Sequence, residues 1–335
     1  MKRNNFTYKA LTGALLALAI AIVAQSCHHV DPELGDQQRA IGFSALKTKV
    51  GSLDDLKASG LGFGVSAKAF AAGAAGTDVF YNQEVAWQTS AWVYSPTKYW
   101  MTGNKYRFAA YWPYSSSASI SGNFENSITI SGFVIDEDPS KHVDYLVTDV
   151  VERDCTESNI DDPVNLLFNH ALCNIIIQLS TNSTGCTYSV KSVALSGTSS
   201  SASYKLTAST SDPADWAGQW LPNAGTNHYE VSYPTPQVVA SSSDVIKVWG
   251  DAGLLLFPQT LDNSIQVTVE YDVTHNDKTK SVLTSVQLPS TPIWESAKKI
   301  TYKLLLPEEN DYIKFATPVV EEWGSSQATG TIVIR

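Results

Sequence analysis

Cys173-Asn174-Ile175-Ile176-Ile177-Gln178-Leu179 decides the fold. Cys173, Ile175, Ile177 and Leu179 share one parity, and the run is too short and too β-branched for a helix, so it reads as a strand buried in a sheet. Working outward, the same grammar returns at Ile128 to Ile135, Val143 to Val147, Tyr188 to Leu195, Val245 to Trp249, Gly253 to Phe257, Ile265 to Val273, Val282 to Leu288, Ile300 to Leu306 and Thr331 to Ile334. No long segment carries helical periodicity. Only two short helical turns are expected, one after Ser52 with Asp55 as its capping partner and Gly60 as its stop, the other opened by Asp212-Pro213 and ending near Gly218. Ser115 to Ser119, Ser196 to Ser203 and Ser241 to Ser243 read as surface loops. The chain is therefore expected to be all-β, with two packed β-sandwiches. The polar, acidic stretch Asp154 to Pro163 places their division near residue 160, giving 40–160 and 161–335.

The first residues carry an address. Lys2 and Arg3 precede a short apolar run from Ala10 to Val23, and Ala24-Gln25-Ser26-Cys27 follows. The run falls short of the ~20 apolar residues that span a bilayer, so residues 1–26 read as a secretory signal and 27–39 as a tether. Cys27 after small residues resembles the lipobox of bacterial lipoproteins, which implies lipidation at Cys27, export, and attachment to the outer membrane at the cell surface. Loss of residues 1–26 removes Lys2, Arg3 and Lys9 and takes the formal charge from −10 to −13. An acidic chain without a basic stripe argues against nucleic acid as a partner.

Sequence signals for chemistry are thin. There is no G-x-S-x-G, H-E-x-x-H, P-loop or paired C-x-x-C, so neither an enzyme nor a cofactor or metal site is expected. Gly62-Phe63-Gly64-Val65-Ser66-Ala67 alternates as a glycine-bearing strand rather than a dinucleotide loop. With Cys27 lipidated, Cys155, Cys173 and Cys186 permit at most one disulfide, and Cys173 reads as a buried thiol. Among six scattered histidines, His170 stands out between Phe168 and Ala171-Leu172 and reads as structural. The acidic clusters at Asp136-Glu137-Asp138, Asp161-Asp162, Glu308-Glu309 and Glu321-Glu322 read as solvated turns. Aromatic density between Trp87 and Tyr114 suits either a core or a surface that stacks on sugars.

An ordered set of motifs then carries a family resemblance. Ile41-Gly42-Phe43, Gly62-Phe63-Gly64-Val65, Tyr99-Trp100, Tyr106-Arg107-Phe108-Ala109-Ala110-Tyr111-Trp112-Pro113, Tyr145-Leu146-Val147 and Phe168-Asn169-His170-Ala171-Leu172 come first. Leu255-Leu256-Phe257-Pro258-Gln259, Trp294 before Lys299-Ile300-Thr301-Tyr302, and Val319 to Trp323 complete it. In this order they resemble the fimbrillin (Mfa-like) family of Bacteroidales surface lipoproteins. The resemblance implies two tandem transthyretin-like β-sandwiches, a fimbrial subunit without catalysis, and other fimbrial subunits as partners through donor-strand exchange. It also implies adhesion to a host or bacterial surface ligand.

The exchanged first strand would run from Ala40 to about Leu46, with Ile41, Phe43 and Ala45 on the core face. Processing in the family follows a basic residue after that strand; here the position falls at Lys47-Thr48-Lys49-Val50, making Lys49 the candidate. The alternative, Arg39, would release only a linker. Thr331 to Arg335, with Ile332 and Ile334 on one face, is the candidate donor strand or else a closing strand. Without processing the subunit would serve as an anchor or terminal member. The rival expectation is a surface glycan-binding lipoprotein using the Trp87–Tyr114 aromatics.

Overall fold

A computed structural model describes residues 38–44, 47–48, 53–212, 214–308 and 312–323. The chain is all-β: the described residues hold four hydrogen-bonded sheets, one short α-helix (Leu53–Ala58) and one 3-10 turn (Pro139–Lys141). Cys27, Ala45, Lys49, Ile332 and Ile334 lie outside the described residues, as do the signal, residues 27–37 of the tether and Ser52.

The first sheet is the frame. Its order runs Lys47–Thr48, Leu167–His170, Leu146–Thr148, Lys105–Trp112, Phe63–Phe70, Thr77–Gln88, Ala91–Val93, with Val151–Asp154 also on Lys105–Trp112. Strict alternation along Lys105–Trp112 gives the strand two inner faces. Tyr106, Phe108, Ala110 and Trp112 enter one buried cluster with Ile41, Phe43, Phe63, Phe80, Val164 and Phe168. Ala109 and Tyr111 enter a second, larger cluster on the other side. Gly64 serves this arrangement, because a Cβ there would stand 2.4 Å from the Tyr111 ring.

The second cluster is filled by the other three sheets. One is built from Ser119–Gly122, Ser127–Val134, Ser201–Ala208 and Trp216–Pro222. Phe133 in it meets Tyr111 at 5.6 Å and Trp220 at 5.0 Å, and Trp220 meets Phe257 at 4.8 Å. Cys173–Thr181 is central to the next sheet, running parallel to Lys298–Leu306 and antiparallel to Leu254–Leu256 and Ile246–Lys247. In the last sheet Thr187–Ser199 lies between Thr226–Val239 and Gln266–His275, and the latter turns at Asn276-Asp277, both at positive φ, into Lys278–Gln287. Two central residues at positive φ suit the primed turn that joins twisted antiparallel strands.

Two local expectations are corrected. Ser196 to Ser203 is not a surface loop: it closes one strand and opens the next, with Thr198 and Ala202 buried. Small side chains fit there because the backbones come close; a Cβ on Gly197, at φ +87°, would lie 2.1 Å from the Ser264 carbonyl oxygen. Asp212 caps a turn, not a helix, accepting from the Ala214 N–H at 2.9 Å before the strand Trp216–Pro222. A division at residue 160 falls just before Leu167–His170, a strand of the first sheet, and Ser127–Val134 pairs with Ser201–Ala208 from beyond that point.

Candidate functional site

Residues 39–44 thread between two stretches of backbone and bond to both. On one side the Ile41 N–H donates to the Lys98 carbonyl at 2.8 Å, and the Arg39 carbonyl accepts from the Trp100 N–H at 2.9 Å. On the other, the Gly42 carbonyl accepts from the Val164 N–H at 2.7 Å and the Ser44 N–H donates to the Val164 carbonyl at 3.1 Å. Phe43 bridges in parallel to Val164, and Lys47–Thr48 continues in parallel beside Leu167–Phe168. The segment is thus an extended insert held by one isolated bridge on each edge.

Alternation supplies its anchors. Ile41 is 1% exposed and Phe43 7%, whereas Gly42 between them faces outward. Each buried side chain of this size is worth about 1.5–3 kcal/mol against water. Phe43 sits in a cup of rings, at 5.7 Å from Phe63, 5.7 Å from Phe80, 5.8 Å from Tyr94 and 6.3 Å from Phe108. Tyr94 closes the cup from the rim: its hydroxyl donates to the Ile41 carbonyl at 2.7 Å and accepts the Lys98 N–H at 3.4 Å. Burial pushes the Tyr94 pKa above the ordinary tyrosine value, away from ionisation.

Arg39 lies at the entrance, its Nε 3.4 Å from Asp161 Oδ1. Because the next residues are already seated, a break after Arg39 would leave Ile41 and Phe43 attached to the body of the chain. Lys49 falls in sequence between the strand Lys47–Thr48 and the helix Leu53–Ala58, so a break there would leave the segment held by non-covalent contacts alone. Ile41 and Phe43 were marked by the family resemblance of Ile41-Gly42-Phe43, their alternation then giving the face. The receiving groups, Tyr94, Lys98, Trp100 and Val164, were not legible as such, since hydrogen bonding of a distant loop leaves no periodic mark.

Other singled-out residues have structural partners. His170 pairs through Nδ1 with Asp144 Oδ2, both buried, and Trp323 stacks on the imidazole at 4.2 Å. Burial raises the Asp144 carboxyl above the usual range, partly offset by His170. The Cys173 thiol is buried, donates to the Leu256 carbonyl and is pushed up by desolvation; Cys155 and Cys186 are free and buried as well. Trp92, Trp100, Tyr106, Phe108, Tyr111 and Trp112 are all in the core, which leaves Tyr99, 43% exposed, as the most open ring of that stretch. Among the described residues no group of three or more His, Cys, Asp or Glu side chains is placed to hold a metal ion.

The model of a family described as fimbrillin-like matches residues 48–323. A fimbrial protein from Bacteroides vulgatus superposes with a TM-score of 0.62 at 19% identity, covering 85% of this chain and 99% of the other, a likeness of fold. A candidate cell adhesion protein from Bacteroides uniformis (TM-score 0.47, 16% identity) covers 86% of this chain and 100% of the other. The fimbrial anchor protein Mfa2 from Porphyromonas gingivalis (TM-score 0.35, 12% identity) covers 86% and 98%. No curated protein sequence matches the chain.

Proposed function

The chain belongs to the fimbrillin-like family, and from that premise we propose that it is a structural or accessory subunit of cell-surface fimbriae, contributing to adhesion. It is exported as a lipoprotein through Cys27, held at the outer membrane, and assembled with other fimbrial subunits by β-strand exchange. One observation carries the reading: the inserted segment 39–44 is bonded on both edges yet anchored by only two large side chains. Its departure would uncover the Lys98 and Val164 carbonyls, the Trp100 and Val164 N–H groups, and an apolar floor of Phe63, Phe80 and Phe108. Exposed edges over an apolar floor are what an added strand satisfies. Contacts of this head-to-tail kind propagate into filaments.

Lys49 is the release point in this scheme, and a chain left uncut there remains an anchor or terminal subunit. Mass spectrometry of the mature N-terminus from cell-surface material reads lipidation at Cys27 and cleavage at Lys49 together. Immunogold labelling of the native surface is expected to place the protein on filaments or at their bases. Uniform labelling of the membrane with no association with filaments would refute the assignment.

A further inference from the structure

We propose that the seat of residues 39–44 selects its incoming strand by the pattern aliphatic, any residue, aromatic, and so prefers a strand from a different subunit over Thr331–Arg335 of a second copy of this chain. The inference rests on the strand-exchange reading above and adds the chemistry of the partner.

Register comes first. The Tyr94 hydroxyl takes the carbonyl of the residue at the Ile41 position while Lys98 takes its N–H, and Tyr94 and Lys98 are themselves linked, so the receiver keeps its shape around one backbone unit. A strand bound there must present its second-following side chain to the same face, because strand side chains alternate with a period of two. That side chain enters the cup of Phe63, Phe80, Tyr94 and Phe108. The middle position is open: Gly42 is exposed, its φ is not positive, and a Cβ there would meet only the Pro163 Cβ, at 3.8 Å. The glycine is therefore dispensable in a partner, while the aromatic ring is not.

The chain's own stretch fails this test. Placing Ile332 at the Ile41 position sends Ile334 into the ring cup. An isoleucine forfeits the edge-to-face contacts at 85° with Phe63 and 89° with Phe108 that the Phe43 ring makes. One such aromatic pair is worth a factor of about 2 to 12 in an equilibrium, so losing two predicts a preference between about 4-fold and about 140-fold, of the order of tenfold.

The test uses the full chain with a unique protease recognition sequence introduced across residues 49–52, cut after folding, and a fluorophore on the released segment. Competing peptides are residues 38–46, the same peptide with Phe43→Ile, the same with Gly42→Val, and residues 329–335. Displacement of the label by the parent and Gly42→Val peptides at about tenfold lower concentration than by the other two is the expected result. Equal potency of the Phe43→Ile or 329–335 peptides, or failure of the Gly42→Val peptide, would overturn the selectivity while leaving strand exchange intact. No displacement even by the parent peptide would overturn strand exchange and this proposal with it.

Discussion

Replacing Tyr94 with phenylalanine tests the seat with one atom. The ring contacts to Phe43 at 5.8 Å and to Phe80 at 5.1 Å survive, and only the hydroxyl leaves. A hydroxyl has one hydrogen; at 2.7 Å to the Ile41 carbonyl against 3.3 Å to the Lys98 carbonyl, that hydrogen belongs to Ile41. The variant loses the Lys98 N–H contact in both states, and only the bond to Ile41 distinguishes them; at about 0.5–1.5 kcal/mol net it is a factor of about 2 to 12 in the equilibrium between seated and open segment. Amide hydrogen exchange reads it directly, since the Ile41 N–H is protected by the Lys98 carbonyl. Exchange at Ile41 and Ser44 is expected to accelerate by that factor relative to amides of the central strand Cys173–Thr181, which report deeper opening. An unchanged ratio would show that the segment opens only with the whole molecule, and the idea of a separately releasable strand would fail.

Three further outcomes follow from other parts of the molecule. His170→Ala strands the buried Asp144 carboxyl without its partner and is expected to lower stability by about 3–5 kcal/mol in urea titration; Asp144→Asn combined with His170→Ala should recover part of it. Gly197→Ala forces a Cβ to 2.1 Å from the Ser264 carbonyl oxygen at φ +87° and should cost about 1–3 kcal/mol by the same measurement. Burial pushes Tyr111, Tyr204, Tyr229 and Tyr302 from 10.0 up to about 12, with desolvation the leading cause in each. The unfolded chain gives up those protons first, so their contribution is complete below pH 10.0 and is lost as the pH rises through about 12. Tyrosinate absorbance and circular dichroism followed together should show ionisation and unfolding as one transition, and ionisation without unfolding would contradict it.

The strands that sequence exposed best were those whose period-2 pattern meets a core on one side or both. Cys173 to Leu179 and Ile300 to Leu306 were found nearly at their true limits, and each lies inside Cys173–Thr181 or Lys298–Leu306. Thr77–Gln88 and Thr226–Val239 went unread, because a strand with few buried positions and outward polar groups has no apolar rhythm to detect. The serine-rich stretch around residue 200 was misread for the opposite reason: its side chains are small because neighbouring backbones are close. At the site, Ile41 and Phe43 were reached through the family resemblance, with alternation assigning their face. Tyr94, Lys98 and Val164 act through main chain or through a single hydroxyl, and their part is written only in three dimensions.

The strand Lys105–Trp112, with one face in each buried cluster, has a mechanical consequence. A pull that parts the two clusters cannot be absorbed by unrolling a linker; it has to strip Tyr111 from Phe133 while the neighbouring strands Phe63–Phe70 and Leu146–Thr148 still clasp the same backbone. Parting the clusters therefore tears packing off one face of a shared sheet, and the two cores are expected to yield to load together rather than as two beads on a string.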